Sequence, residues 1–251
     1  LINTLLGKNH VLTGDKPGVT RDAVMLNFVW KGENFTLIDT AGIRKKSKVI
    51  DKIEKLSVDA AFDAVKYAQI VVLVLDCNEA LSRQDLIIAN HVVNEGRVLV
   101  IAANKWDLVK QFKEVRLELN IRLERTLSQL RGVKLVELSA LKKTGISKLM
   151  SDIKEIYNKW NINISTAKLN KWLQIVQDQN PPPLKSGRVI KLKYCTQTSS
   201  RPPTFVFFTN LNSELSKSYQ RYLLNNFREE FDMDGVPIRI LYRNSKNPFS
   251  N

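Results

Sequence analysis

The stretch "VLVIAANKWD", Val98–Asp107, is the clearest indication of the fold class of this chain. Its first six residues are apolar, which is typical of a strand in a parallel sheet that is covered by helices on both faces. The run "IVVLVLD", Ile70–Asp76, has the same character. Asn104, Lys105 and Asp107 follow the first run directly, and ligands of such sheets bind beyond the carboxyl ends of the strands. The sequence therefore predicts an α/β sheet with a polar site at one edge.

The first part of the chain alternates strand and helix patterns, which predicts a doubly wound, mostly parallel sheet. The first two strands are separated only by the turn "KGEN" and are expected to pair antiparallel. The predicted strands are Val24–Trp30, Asn34–Asp39, Ile70–Asp76, Arg97–Ala102 and Lys134–Leu138, and the predicted helices are Ile53–Tyr67, Gln84–Asn94, Phe112–Leu130 and Ile146–Trp160.

The pattern changes after Trp160, where a polar connector leads to a short helix capped by Ser165 or Thr166 and then to three prolines, which cannot continue a helix. This change predicts two domains, residues 1–163 and residues 164–251. The smaller domain is predicted to be α+β, with strands Val189–Cys195, Thr204–Thr209 and Pro237–Tyr242 and a helix Glu214–Phe231.

The chain is basic, with a formal charge of +14 and a pI near 9.8 over 251 residues, a balance that suits a polyanionic partner. Residues 165–251 hold 13 Lys and Arg against 6 Asp and Glu, whereas residues 1–164 hold 26 against 19. The smaller domain is therefore about twice as basic per residue, which favours it as the part that contacts nucleic acid.

Cys77 and Cys195 are the two cysteines, and their spacing fits neither a disulfide framework nor a metal site. A reducing cytoplasm is the expected compartment. No apolar run reaches the roughly 18 residues that a membrane span needs. The pattern of Leu1, Ile2, Leu5 and Leu6 looks like a helix already under way, so further chain is expected to precede it.

Two loops carry residues that suit a phosphate and its metal ion. "DTAG" follows a strand and places Asp39 where it can hold a water of Mg²⁺, and Gly42 where its N–H can meet a terminal phosphate. In "GDKPGVTRD" the Thr20 hydroxyl can ligate Mg²⁺ when a γ-phosphate holds the loop closed.

Two further loops suit a guanine base. The carboxylate of Asp107 can accept hydrogen bonds from both the N1–H and the 2-amino group of guanine, a pair that adenine does not offer. Asn104 is expected to brace this loop, and the stem of Lys105 to lie over the base or ribose. In "LSAL" the Ala140 N–H could meet the guanine O6, and Trp106 could wedge the loop.

Together these loops resemble the translation-factor-like class of GTPases. The resemblance implies nucleotide-binding roles for Asp39, Thr40, Ala41, Gly42, Ile43, Asn104, Lys105, Trp106, Asp107, Ser139, Ala140 and Leu141, catalytic roles for Thr20 and Gly42, and Mg²⁺ ligation by Thr20 and, through water, Asp39.

The resemblance sharpens with "PGVTRD", "DTAGIRKKSKV", "NKWDLV", "GRVIKLKY", "PPTFVFFTN" and "GVPIRI", which are similar to the Der or EngA family of bacterial tandem GTPases. It spans essentially the whole chain, as a second GTPase domain followed by a KH-like domain. It implies a GTP-hydrolysing switch that uses GTP or GDP, Mg²⁺ and a monovalent cation, usually K⁺, in assembly of the large ribosomal subunit. The implied partners are that subunit and its rRNA, with contact between the KH-like and GTPase domains and no membrane.

Three departures from the family pattern matter. The phosphate-binding motif G-x-x-x-x-G-K-[ST] is not in the sequence, and it is expected immediately before Leu1. Ile43 occupies the position after "DTAG" where many GTPases have the glutamine that orients the attacking water. The smaller domain has only Gly187 and Gly235, so it lacks the Gly-x-x-Gly loop with which KH domains clamp RNA.

Several interpretations stay open. The chain could instead be a basic RNA- or protein-binding scaffold in which the GTPase fold binds no nucleotide, whereas a GTPase of the Era type fits less well because the Gly-x-x-Gly loop is missing. The cluster Arg44-Lys45-Lys46-Lys48 suits a mobile switch segment and a solvated loop equally. The cations that could contact RNA in the smaller domain are Arg188, Lys191, Lys193, Arg201, Lys217, Arg221, Arg228, Arg239 and Arg243.

Overall fold

The structure is a computed structural model, and it describes residues 1–7, 24–39, 62, 64–77, 81–127, 130–184, 187–210 and 215–244. The chain divides into two compact units, Leu1–Glu155 and Ile156–Asn251. The division lies inside a helix, and the predicted domain boundary after residue 163 stays a prediction.

The larger unit contains two ladders of strands. β1 (Val24–Trp30) pairs antiparallel with β2 (Glu33–Asp39), and the three strands β3 (Ile70–Asp76), β4 (Val98–Asn104) and β5 (Lys134–Glu137) form a parallel sheet in the order β3-β4-β5. The predicted α/β fold with a mostly parallel sheet is confirmed.

The turn between β1 and β2 follows from its sequence. Lys31 and Gly32 have φ of 49° and 83°, and two positive φ values in a two-residue loop are the mark of a type I′ hairpin turn. The ladder then runs without a break from Trp30↔Glu33 to Val24↔Asp39, so the predicted antiparallel hairpin is confirmed.

Four helices of this part of the chain have defined bounds: α1 (Ile2–Leu6), α2 (Arg83–Asn94), α3 (Phe112–Thr126) and α4 (Ile146–Trp160). The core lies between the parallel sheet and its helices, because Leu99 and Ile101 of β4 are buried in one cluster with Val92 of α2 and Leu123 of α3. Burial of residues 98–103 of β4 is what their unbroken apolar run predicts.

The smaller unit packs two helices on a three-stranded sheet. The helices are α5 (Thr166–Gln179) and α6 (Lys217–Glu230), and the sheet has the order β6 (Leu192–Ser200), β7 (Pro203–Thr209), β8 (Arg239–Asn244). β6 pairs antiparallel with β7, and β7 pairs parallel with β8. The predicted α+β arrangement is confirmed, and Ser165 rather than Thr166 caps α5.

Some predicted bounds are wrong. β6 begins three residues later and ends five residues later than the predicted Val189–Cys195. Its end is later because the polar residues 196–200 continue the ladder with β7 instead of forming a loop. The third strand begins at Arg239 rather than at Pro237, and α3 ends at Thr126 rather than at Leu130. Pro237 has no N–H to give to a ladder, which agrees with its place before the strand. None of the helices in the described ranges combines the length and apolarity needed to cross a membrane.

Candidate functional site

The candidate guanine site is built on the carboxyl ends of β3, β4 and β5. Asp76 ends β3 and is paired in register with Asn104, which ends β4. The chain then turns at Lys105, whose φ of 62° is left-handed, into a short 3₁₀ helix, Trp106–Leu108. Parallel strands bring these ends to one edge of the sheet, where α/β proteins bind their ligands.

Asn104 ties the two predicted base-reading loops together. Its Oδ1 accepts a hydrogen bond from the Ala140 N–H at 3.0 Å. Because a backbone N–H can only donate, the side-chain oxygen must be the acceptor, and Nδ2 is left as a donor. A donor there suits an acceptor such as the O6 or N7 of a purine. The predicted bracing role of Asn104 agrees with this contact.

The same bond changes how the Ala140 N–H would act. The Ala140 N–H, which is predicted to meet the guanine O6, already donates to Asn104 Oδ1. A guanine O6 would therefore have to share this donor with Asn104 Oδ1 or displace Asn104 Oδ1 from it. The Ala140 carbonyl accepts from Thr4 Oγ1 of α1 at 3.0 Å. The Ala140 peptide is thus held on both sides, which fixes the loop before any base arrives.

Ser139 closes this second loop. It is 1% exposed, exchanges two backbone hydrogen bonds of 3.1 Å with Thr144, and its Oγ accepts from the Lys142 N–H at 3.1 Å. The turn that follows needs Gly145, because a Cβ there would lie 2.3 Å from the Glu137 carbonyl oxygen. Leu141, by contrast, is 82% exposed at the tip of the loop.

Asp107 is the exposed carboxylate of the site. It lies in the 3₁₀ helix and has neither a hydrogen bond nor an ion pair to a residue in the described ranges. Trp106 anchors the same short helix by packing on the core, with its ring centroid 6.1 Å from that of Phe112. The loop is therefore held by its tryptophan while its carboxylate faces water, as a base-reading group requires.

The ammonium group of Lys105 forms an ion pair with Asp76. Its Nζ lies 2.6 Å from Asp76 Oδ2, so the end of β3 holds the head group of the lysine. The predicted position of its stem over a base stays a prediction. Asp76 was missed as a site residue, although its place at the end of the apolar run "IVVLVLD" is a signal of the same kind as that of Asn104.

Cys77 supports the backbone of Asn104. Its N–H and its Sγ–H both donate to the Asn104 carbonyl oxygen, at 3.1 and 2.7 Å. Burial raises the pKa of the Cys77 thiol to about 11, and the negative charge of Asp76 adds to the effect. The thiol is thus protonated near neutral pH and acts as a structural donor.

The phosphate and metal side of the predicted site is outside the described residues. This holds for Thr20, Thr40, Ala41, Gly42 and Ile43, and for the predicted helix Ile53–Tyr67 before residue 62. Asp39 is described only in its backbone, as the last residue of β2. Within the described ranges no group of three or more His, Cys, Asp or Glu could hold a metal ion.

One of the predicted RNA-contacting cations has another role. Arg228 is 2% exposed, and its Nη1 donates to the carbonyl oxygens of Met233 and Val236 at 2.6 and 2.9 Å. Its assignment to an RNA surface is wrong, because the guanidinium instead closes the turn after α6. Arg201 stacks near the ring of Tyr157, 5.8 Å from its centroid, and its Nε donates to Asn161 Oδ1.

Comparison with known proteins agrees with this geometry. Residues 1–105 match the family described as 50S ribosome-binding GTPase, and residues 163–243 match the KH-domain-like C-terminal family of EngA bacterial GTPase enzymes. Two solved structures of Era share the fold, each with a TM-score of 0.52 over 98% of this chain. One, from Aquifex aeolicus and bound to GDP·AlF₄⁻, is 16% identical, and the match covers 89% of that Era chain. The other, in complex with MgGDPNP and 16S ribosomal RNA, is 18% identical, and the match covers 88% of that Era chain.

Curated relatives are closer in sequence. GTPase Der of Parvibaculum lavamentivorans is 45% identical over 251 residues, and GTPase Der of Bartonella tribocorum is 46% identical over 250 residues. Each alignment covers 100% of this chain but 53% of the relative, so the chain spans about half the length of these proteins. The resemblance drawn from the motifs is confirmed: over its whole length the chain is similar to GTPases of the Der or EngA family.

Proposed function

We propose that this chain is the guanine-reading and RNA-contacting part of a GTP-binding and GTP-hydrolysing switch protein. The observation that carries the proposal is the pair of joined loops. Asn104 Oδ1 holds the Ala140 N–H at 3.0 Å, while the Asp107 carboxylate on the next turn is exposed to solvent. At one edge of the sheet, the two loops thus present the two carboxylate oxygens of Asp107 as acceptors and Asn104 Nδ2 as a donor. This set matches the donors and acceptors of a guanine base.

The carboxylate provides selectivity against adenine. Guanine offers two adjacent donors, N1–H and the 2-amino group, and a carboxylate can accept both. An adenine in the same place would leave the carboxylate desolvated without partners, which costs more than the bonds are worth in water. The bound forms are therefore GTP and GDP.

The phosphate side of the proposal rests on sequence. Thr20 would ligate Mg²⁺, Asp39 would hold one of its waters, and the Gly42 N–H would bond the terminal phosphate, as the shared motif order implies. Thr40, Ala41 and Ile43 complete that loop. Loss of the γ-phosphate would release the loops that hold Thr20 and Gly42, which is the switch.

Ile43 points to help from a monovalent cation, K⁺ being the one that the family resemblance implies. An isoleucine side chain has no hydrogen-bonding atom with which to orient water, so the charge that develops between the β- and γ-phosphates needs another stabilising group. We expect GTP hydrolysis by the full-length gene product to be at least about tenfold faster in K⁺ than in Na⁺ at equal ionic strength, since one well-placed charge is worth that much. Equal rates in the two salts would remove the cation from the proposal.

The partner that we propose is the large ribosomal subunit and its rRNA, in the cytoplasm and during assembly of that subunit. Support comes from the family description that matches residues 1–105, which names the 50S ribosome, and from the basic charge of residues 165–251. The KH-like match begins at residue 163, which favours a GTPase domain over 1–163 and a KH-like domain over 164–251. Contact between these two domains is part of the same proposal.

The sharpest test of the base-reading site is Asp107→Asn. An asparagine presents an amide NH₂ where the guanine NH₂ needs an acceptor, whereas the 2-oxo group of xanthine accepts from that NH₂. With Mg²⁺ present, the full-length gene product should lose about a hundredfold in GDP affinity and gain affinity for xanthosine diphosphate.

The matched control is Asp178→Asn, which makes the same change at an exposed position of α5. It should leave both affinities unchanged. If Asp107→Asn binds GDP as tightly as the unchanged protein does, the base-reading role of Asp107 is wrong and the scaffold interpretation gains ground.

A further inference from the structure

The ends of β3 and β4 are tied together beside the proposed guanine site. Asp76 and Asn104 are register partners at the ends of these two strands. Cys77 follows Asp76 directly, and its N–H and its Sγ–H both donate to the Asn104 carbonyl oxygen, at 3.1 and 2.7 Å. The backbone of Asp76 is therefore fixed relative to the loop that begins at Lys105.

Asp76 holds the side chain of Lys105. Lys105 Nζ lies 2.6 Å from Asp76 Oδ2, a short distance of the kind that hydrogen bonds between two charged groups have. The side chain of Asp76 is 22% exposed and that of Lys105 is 54% exposed, so the carboxylate is the more firmly placed partner. A lysine side chain is long and flexible, and an anchored ammonium group leaves it few conformations.

The backbone of Lys105 is constrained as well. Its φ of 62° lies in the left-handed region, which residues other than glycine adopt rarely and only where the surrounding structure maintains it. The next residue, Trp106, donates its N–H to the Leu138 carbonyl oxygen at 3.1 Å. Lys105 is thus held at its backbone and at its ammonium group, and its stem runs from the end of β4 toward the end of β3.

Asp76 takes the lysine at an edge that carries several carboxylates. Burial raises the pKa of the Cys77 thiol to about 11, and nearby negative charges add to the rise. Those charges belong to Asp76, Asp107 and Glu137, so three carboxylates lie near this edge. Lys105 pairs with Asp76 rather than with Asp107, which lies two residues along its own loop. The carboxylate that is proposed to bind guanine is therefore not neutralised by the neighbouring lysine.

We propose that Asp76 is a positioning residue of the guanine site, which holds the Lys105 ammonium so that the lysine stem lies over the base. This inference rests on the proposed guanine binding and adds a residue to which the sequence motifs give no role. The lysine is ordered before the nucleotide arrives, which raises the affinity without a further contact to the nucleotide. In this role Asp76 acts through Lys105 and needs no contact with the base or the phosphates.

The expected effect on affinity is modest. Water screens an ion pair whose lysine is half exposed, and ordering one long side chain in advance changes an affinity by about tenfold at most. We therefore expect loss of the pair to weaken GDP binding about fivefold. GTP binding should weaken by the same factor, because the lysine is proposed to contact the base, which the two nucleotides share.

The test is a double-mutant cycle in the full-length gene product, with the affinities for GDP and GTP measured by titration calorimetry in the presence of Mg²⁺. Asp76→Asn removes the charge and keeps the shape of the side chain, and it should weaken binding of both nucleotides about fivefold. Lys105→Met keeps an apolar stem but removes the ammonium. In that background Asp76→Asn should change either affinity by less than about twofold, because no ammonium is left to hold.

The matched control is Asp152→Asn. Asp152 Oδ2 lies 2.8 Å from Lys148 Nζ, and the two side chains are 10% and 57% exposed, so this pair resembles that of Asp76 and Lys105. It lies within α4 and belongs to neither base-reading loop. Asp152→Asn should therefore leave both affinities within about twofold of those of the unchanged protein.

Three results of the cycle would overturn the positioning role. They are an unchanged GDP affinity of Asp76→Asn, a loss that persists in full in the Lys105→Met background, and a loss confined to GTP. The second would mean that Asp76 supports the fold rather than the lysine. If the unchanged gene product binds no GDP, the proposed function fails and this inference fails with it, whereas a failed cycle with GDP binding intact overturns only the role of Asp76.

Competitive acetylation keeps the proposal falsifiable if Asp76→Asn does not fold. The unchanged, nucleotide-free gene product is treated with a trace of acetic anhydride, and the labelling of each lysine is measured by mass spectrometry of its peptides. Lys105 should react more slowly than the exposed Lys110 nearby in the chain, because an amine that is held in an ion pair is less available to the reagent. Equal reactivity of the two lysines would show that Asp76 does not hold Lys105.

Discussion

Gly145 shows how one residue fixes the loop that follows β5, the second of the two proposed base-reading loops. Its φ is +77°, and a Cβ added there would lie 2.3 Å from the Glu137 carbonyl oxygen and 2.8 Å from the Leu138 Cβ. Both the backbone angle and the space therefore demand glycine. The position closes the turn that begins at Ser139 and leads into α4, so the shape of the loop around Ala140 depends on it.

Gly145→Ala should therefore be costly for two separate reasons. We expect a loss in the free energy of unfolding of about 3 kcal/mol, from roughly 1 kcal/mol for the left-handed backbone and the rest for overlap with β5. Gly32→Ala is the matched control in the same unit, because its φ is +83° and nothing lies within 4 Å of its added Cβ. Urea denaturation would measure both, and equal losses for the two variants would show that the close approach to Glu137 is unimportant.

Single residues also mark the limit of what the sequence could predict about the site. Asn104 was expected to brace its loop, because it directly follows a buried strand and therefore lies at the carboxyl edge of the parallel sheet. Thr4 and Cys77 were not expected, since their contacts with Ala140 and Asn104 join segments that are 136 and 27 residues apart in the chain. A hydrogen bond across such a separation depends on the packed fold and leaves no local pattern.

Among the helices and strands, α2 has a start that its own sequence specifies, through a capping box of Ser82 and Asp85. The Ser82 Oγ accepts from the Asp85 N–H at 3.3 Å, and the Asp85 carboxylate accepts from the Ser82 N–H at 2.9 Å, which together form a capping box. Asp85 is 2% exposed, so its carboxylate depends on these donors. The helix starts at Arg83, one residue before the predicted Gln84.

Ser82→Ala should shorten or loosen the start of α2. The cost should be about 1 kcal/mol in the free energy of unfolding, because one helix N–H loses its cap and Asp85 Oδ2 loses its 2.8 Å bond from the serine hydroxyl. Ser151→Ala, at an exposed position inside α4, is the matched control and should cost far less. Amide hydrogen exchange along residues 83–94 gives the local readout. Unchanged protection of the first turn would contradict the capping role.

Elements with strong periodicity were predicted well, and those with mixed patterns were not. β4 and α4 match their predicted positions to within two residues, because an apolar run and a 3.6-residue period are strong signals. β6 was misplaced, because Thr196–Ser200 is polar and nothing in that run shows that it pairs with β7. The extent of an edge strand such as β6 depends on its hydrogen bonds to the neighbouring strand, and the local sequence does not show that pairing.

For the whole molecule, the order of the motifs indicated the kind of protein more clearly than any single helix or strand did. Four loops in the order of one GTPase class predicted a resemblance to the Der or EngA family, and relatives 45% and 46% identical over essentially the whole chain confirmed that resemblance. The sequence also indicated two parts of different charge, and the chain does form two compact units. The burial of Arg228 was not predicted, because a buried arginine and a surface arginine look alike in the sequence.

Whether Asp107 recognises guanine is best measured by nucleotide competition. Fluorescent GDP is titrated into the full-length gene product with Mg²⁺ and K⁺ present, and the complex is then challenged with unlabelled GTP or ATP. We expect displacement by GTP and at least about a hundredfold weaker displacement by ATP, because adenine leaves the carboxylate unpaired. Equal displacement by the two nucleotides would show that Asp107 does not recognise guanine.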